Sequence, residues 1–177
     1  PNGDSTTAWF RIDTVNPGNR NGSREAARRL LAEGHRDILY VYHHRRDKNP
    51  VRLQGYEDAL REAGIVPREE LVAPALLNER AGEAAVNDAL KKRLSFSAVM
   101  AFDAGQARGA LVALKAHGLT MPVVTFGMAQ ENADPSLRIV DLDPKTLGAA
   151  AVERIAARIA KPGLAVEDIE TPFRMWA

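Results

Sequence analysis

The chain contains no cysteine, which excludes a disulfide framework, a thiolate nucleophile and sulfur-bound metal sites. It has no apolar run approaching the ~18 residues of a membrane span, so a membrane is not an expected partner. It also lacks a basic-then-apolar leader. It begins "PNGDSTT" without an initiator Met, as a piece of a longer protein would. Charge of one sign is missing as well: 24 Lys and Arg against 23 Asp and Glu leave a net charge of +1, which is no footprint for nucleic acid. Familiar catalytic signatures are absent: no G-x-S-x-G elbow, no G-x-G-x-x-G, no P-loop and no H-E-x-x-H. The expectation is a cytoplasmic protein that is not an enzyme and carries no cofactor. The pair His43–His44 does not suggest a metal, because adjacent strand residues point to opposite faces and no carboxylate spacing supports them.

What is present is an ordinary globular composition, with 45% hydrophobic and 27% charged residues over 177 positions. "AWFRID" (8–13) reads as a short strand and "TVNPGNRNG" (14–22) as a turn-rich loop. "SREAARRLLAEGH" reads as a helix capped by Ser23, with Ala26, Ala27, Leu30 and Leu31 on one stripe and Gly34 as its stop. "DILYVYHH" is an apolar strand. In "NPVRLQGYEDALREAGI" Asn49 caps a helix, Pro50 suits its first position, Leu53, Tyr56 and Leu60 face inward, Glu57 and Arg61 form an i,i+4 pair, and Gly64 ends it. "LVAPALL" is a short strand. Asn78 then caps a helix with Val86, Leu90 and Leu94 on one face. "SAVMAF" is a strand, and the helix after it puts Ala107, Leu111 and Leu114 inside. "MPVVTFG" and "LRIVDL" are strands. Asp143 and Pro144 open a helix whose buried face is Leu147, Ala151, Ile155 and Ile159, and "IETPFRMW" is a last strand.

Strand and helix alternate almost strictly, and the strands are apolar runs. That pattern predicts an α/β fold, a parallel sheet with helices on both faces joined by right-handed crossovers. In such a sheet ligands bind beyond the carboxyl ends of the strands. The rule selects His43, His44, Arg45, Arg46 and Arg52; Leu77 and Asn78; Asp103; Phe126, Gly127 and Met128; and Asp141 and Asp143. Their donors and acceptors suit a polyhydroxylated or anionic small molecule, since Arg presents a planar fork of donors. Simpler readings stand beside this one: Asp103 and Asp143 also fit as helix N-caps. Arg52 is the residue hardest to read as packing, because it opens a helix where the macrodipole disfavours a cation.

Four segments carry a resemblance. "GSREAARRLLAEGHRDILYV", "VRLQGYEDALREAGI", "SAVMAFDAGQARGALVALKAHGLTMP" and "LRIVDLDPKTLGAAAVERI" follow one another at the separations found in the effector-binding domain of LacI/GalR-type bacterial transcriptional regulators. The chain resembles that family over roughly residues 8 to 174. The resemblance implies a periplasmic-binding-protein-like fold of type I, mainly its C-terminal lobe, with residues 14–142 and 165–177 in that lobe and 1–13 and 143–164 belonging or crossing to the N-terminal lobe. It implies a small effector such as a sugar or sugar acid, a homodimer, and operator DNA bound only through a helix-turn-helix domain outside this chain. It implies that Arg52 grips the effector, that Asp103 stands where the family has Asn, that Arg46 is a second contact, and that Leu77 replaces a stacking aromatic. Asn78, Phe126 and Gly127 complete the expected site, with Gly127 and Met128 where the family carries an acid. The alternative function is a periplasmic solute-binding protein feeding a sugar transporter.

Overall fold

Five of the apolar runs become five parallel strands, and the residues along each strand divide between two hydrophobic layers. The computed structural model describes residues 12–43, 50–127 and 136–176. In chain order it contains β1 (Thr14–Pro17), α1 (Asn19–Ala32), β2 (Ile38–His43), α2 (Val51–Glu62), a 3-10 turn (Glu69–Leu71), β3 (Val72–Ala75), α3 (Glu79–Lys91), β4 (Ala98–Ala101), α4 (Ala104–Ala116), β5 (Val123–Gly127), β6 (Leu137–Asp141), α5 (Pro144–Ala160) and β7 (Asp168–Thr171). The main sheet has the order β3-β2-β4-β5-β6, all parallel. Ile38, Tyr40, Met100, Val124, Phe126 and Val140 face α1 and α2. Leu39, Val41, Val99, Ala101 and Val123 face α3 and α4. Both faces are covered, which is why these strands are continuously apolar.

The helix pairs on each face approach closely because glycine lines their contacts. A Cβ at Gly55 of α2 would lie 2.2 Å from the Arg20 carbonyl oxygen of α1, and one at Gly109 of α4 would lie 1.9 Å from the Glu79 carbonyl oxygen of α3. No side chain fits at either position. Leu60, Val86, Ala107 and Leu114 are buried as expected, and the Glu57–Arg61 pair forms at 2.8 Å. Gly34 and Gly64 follow their helices with positive φ, 96° and 72°, a conformation that glycine adopts without strain.

Several expectations are corrected. The stretch 14–22, read as a loop, holds β1 and the first turn of α1. β1 pairs in parallel with β7, Thr14 opposite Asp168 and Pro17 opposite Thr171, in a separate two-stranded sheet. A pairing across about 150 residues leaves no mark in local turn chemistry. Ser23 is not a cap: α1 begins at Asn19 after Gly18, and Ser23 is buried within the helix. The stripe on α5 is not buried among the described residues. Ile155 is 60% and Ile159 76% exposed, and the helix contains no buried residue. Its main contacts are with β1 and β7, which form a sheet separate from the main one. The last strand is also shorter than expected: β7 ends at Thr171, and Phe173, Met175 and Trp176 pack against the α1–α2 layer instead. Residues 8–11 of the expected first strand lie outside the described residues, and Ile12 and Asp13 are not in a strand.

Candidate effector-binding site

The strand order reverses direction between β2 and β4. The chain steps from β2 outward to β3, then returns past β2 to β4 and onward to β5 and β6. Crevices form at such a switch point, beyond the strand ends. The register brings those ends to one rim: His43 lies beside Ala75, and Gly127 beside Asp141. The rings of His43 and Phe102 meet over the switch point at 5.7 Å.

Arg52 occupies this place. It is half-buried in the first turn of α2. Its Nε donates to Asn19 Oδ1 at 2.8 Å, and a terminal nitrogen donates to the Phe102 carbonyl oxygen at 2.6 Å. The guanidinium carbon lies 4.3 Å from the Phe102 ring centroid and 4.4 Å from that of Phe126. A cation over an aromatic face gains roughly 0.5–2 kcal/mol from each such contact. Acceptors and ring faces together offset the unfavourable helix-start position. Tyr56, one turn further on, stacks on Tyr40 at 5.1 Å and donates its hydroxyl to the Ile38 carbonyl oxygen at 2.9 Å. Burial pushes both phenols well above their ordinary titration range, so they are neutral fixtures.

The acidic and amide residues of the rim act locally as helix caps. Asn78 accepts from Ala81 N and caps α3; Asp103 accepts from Gln106 N at 2.8 Å and caps α4. Asp143, with φ of 44°, caps α5 through the backbone and hydroxyl of Thr146. Those bonds hold its carboxyl below the usual carboxylate range, and Arg174 nearby adds to the effect. Arg174 reaches Asp141 at 3.3 Å and Asp143 at 3.4 Å.

The structure therefore brings Arg52 and Phe126 into contact, with Gly127 and Asp103 directly after the residues that flank the cation. Leu77 and Asn78 lie on the same rim at the end of β3, Leu77 45% exposed. Arg46, His44, Arg45, Asn49 and Met128 lie outside the described residues. Sequence reasoning missed three residues. Asn19 was hidden inside a presumed loop; had β1 been recognised, the strand-tip rule would have selected it. Phe102 read as the end of an apolar strand. Gln106 is fully buried and knots the rim: its oxygen accepts from Phe102 N at 3.1 Å, and its nitrogen donates to the carbonyl oxygens of Leu76 at 3.1 Å and Ala75 at 3.3 Å.

A family model described as the periplasmic binding protein-like domain matches residues 27–175. The chain belongs to this family. Among its relatives, the HTH-type transcriptional regulator GalS of Salmonella typhimurium is 32% identical over 150 residues, 83% of this chain and 44% of that protein. The chain thus spans less than half the length of that relative. A LacI-type transcription regulator from Bifidobacterium animalis superposes with a TM-score of 0.83 at 26% identity, over 96% of this chain and 67% of the other. The transcriptional regulator CelR in complex with cellobiose superposes with a TM-score of 0.83 at 25% identity, over 94% of this chain and 53% of the other. The expected periplasmic-binding-protein-like α/β fold and the resemblance to LacI/GalR-type regulators are both borne out. Among the described residues no helix is long and apolar enough to cross a membrane, and no cluster of three or more His, Asp or Glu is placed to hold a metal.

Proposed function

We propose that this chain is the larger part of the ligand-sensing domain of a LacI/GalR-type transcriptional regulator, and that a sugar or sugar acid docks on its rim with Arg52 as anchor. The observation that carries the reading is the clamped guanidinium at the sheet's switch point. A planar fork held against two rings is preorganised to meet vicinal hydroxyls or a carboxylate. On this reading Leu77, Asn78, Asp103, Phe126 and Gly127 line the site, and Arg46, which follows β2 in the sequence, is a second contact. The relatives named as transcriptional regulators and the cellobiose complex of CelR favour this over a transporter's solute-binding protein. On this reading the domain senses and does not catalyse. Residues 1–13 and 143–164 belong or cross to the second lobe, the protein acts in the cytoplasm as a homodimer, and operator DNA is read by a separate helix-turn-helix domain. Ligand binding then acts by shifting an equilibrium between lobe arrangements.

The test is a thermal-shift screen of neutral monosaccharides, disaccharides including cellobiose, and sugar acids. A ligand at 100 times its Kd stabilises by about 2.7 kcal/mol, which raises Tm by roughly 5–10 °C. Arg52→Lys, which loses the fork, weakens the hit about tenfold or more. A panel without any shift, or a lysine variant that binds as tightly as wild type, refutes the proposal.

A further inference from the structure

We infer that Asn19 is a positioning residue for Arg52: its side-chain oxygen sets the in-plane direction of the guanidinium and ties the anchor to the segment crossing from β1 to α1. This rests on the reading of the rim as a ligand site.

Ring contacts, a carbonyl bond and an amide bond act on this flat group in different ways. The Phe102 and Phe126 rings lie 4.3 and 4.4 Å from the guanidinium carbon, and ring contacts of this kind attract the cation without setting its in-plane direction. The bond to the Phe102 carbonyl fixes one point at the edge of the group. One point still permits rotation about it. The bond from Nε to Asn19 Oδ1 supplies the second point, and two points define an orientation. Arg has donors only, so it is the amide oxygen of Asn19 that faces it.

Asn19 is available for this because it has no capping duty. α1 starts after Gly18 and carries no side-chain cap. Its position is dictated from both sides. Gly55 permits α2 to close on α1 at Arg20, the next residue. Gly18 is pressed against the tail, where a Cβ would lie 2.9 Å from the Phe173 ring. Asn19 stands two residues after the end of β1, whose partner is β7. A displacement of β1 and β7 relative to the main sheet therefore pulls on the anchor through the Asn19 hydrogen bond.

The test compares Asn19→Leu, which removes the acceptor at similar size, with Asn19→Asp, which keeps it and suits a first helical turn. The ligand-free readout is solvent exchange of the Arg52 Nε–H by 15N NMR. It is expected to be slow in wild type and in the Asp variant, and fast in the Leu variant. The binding readout uses cellobiose first and the other panel sugars after it. Loss of a hydrogen bond to a charged group is expected to weaken binding about tenfold in the Leu variant, with recovery in the Asp variant. In the background of Arg52→Lys, Asn19→Leu should cost little more, since the two act as a unit. Unchanged exchange and affinity in the Leu variant, failure of the Asp variant to recover either, or fully additive losses overturn the inference. If no sugar binds wild type, the reading of the site falls. The exchange measurement then decides Asn19 by itself: fast exchange in the Leu variant upholds the positioning role and unchanged exchange overturns it.

Discussion

Gly55→Ala is the substitution that tests how the rim is built. The added methyl would sit 2.2 Å from the Arg20 carbonyl oxygen and 3.0 Å from both Arg24 N and the Ser23 Cβ. The obstacle is the backbone of α1, which cannot rotate aside as the tip of a long side chain would. The helices must separate by about 1 Å to restore van der Waals distance. Overpacking of this kind costs about 1–3 kcal/mol, and a backbone obstacle belongs at the upper end. Alanine returns up to about 1 kcal/mol in helix propensity. The net loss is about 2 kcal/mol, or a Tm lower by roughly 4–8 °C in a chain of this size. Separation also draws Asn19 from Arg52, so exchange of the Arg52 Nε–H should quicken. Gly148→Ala is the control, because nothing lies within 4 Å of its Cβ position on α5. It should gain about 0.5–1 kcal/mol. Differential scanning calorimetry of the two variants decides the matter. A Gly55→Ala protein with Tm within about 1 °C of wild type and unchanged exchange would falsify the close-approach argument.

Gln106→Leu should destabilise the chain by about 1–2 kcal/mol in urea unfolding, because a fully buried amide loses its bonds to Phe102 N and to the Ala75 and Leu76 carbonyl oxygens while Phe102 N keeps the Val41 carbonyl oxygen and the Leu76 carbonyl keeps Asn78 N; a loss below about 0.5 kcal/mol contradicts that account. Tyr56→Phe should cost about 1 kcal/mol by the same measurement, through the lost hydrogen bond to the Ile38 carbonyl oxygen, and an unchanged midpoint would speak against the bond. Asp13 joins the approach to β1 to α5 through Arg154 at 2.6 Å and Arg158 at 2.8 Å. Hydrogen bonds from Arg154 first, then from Glu167 N and Arg158, hold its carboxyl at about 2 against an ordinary value of 3.8. A depressed native value means stabilisation that is full above the unfolded value and lost as pH falls through the native one. The stability difference between wild type and Asp13→Asn should thus be level above about pH 5 and shrink between about pH 4 and 2. A difference that stays level down to pH 2 would show that the clasp does not act through that charge.

The main sheet was legible because its physical cause is local. Leu39 and Val41 on one face and Ile38 and Tyr40 on the other are all buried, so β2 had to be apolar throughout. Asn78 and Asp143 were legible as caps because a cap needs only a short acceptor before a helix. Arg52 was legible as an anomaly, though its partners were not. Asn19 is 33 residues away and Phe102 50, and neither separation follows a helical or strand period. β1 escaped notice because its partner β7 lies at the far end of the chain.

The amino-acid sequence by itself determined the alternation of strand and helix and the parallel strand direction this imposes. Those follow from periodicity and from the handedness of crossovers, which every window of the chain carries. Tertiary structure alone decided that α5 and β7 join β1 rather than the main sheet, and that Asn19, Phe102 and Phe126 converge on one guanidinium. Such convergence depends on strand order and on two glycines letting helices touch, and packing distances of a few ångströms leave no signature in any local run of residues.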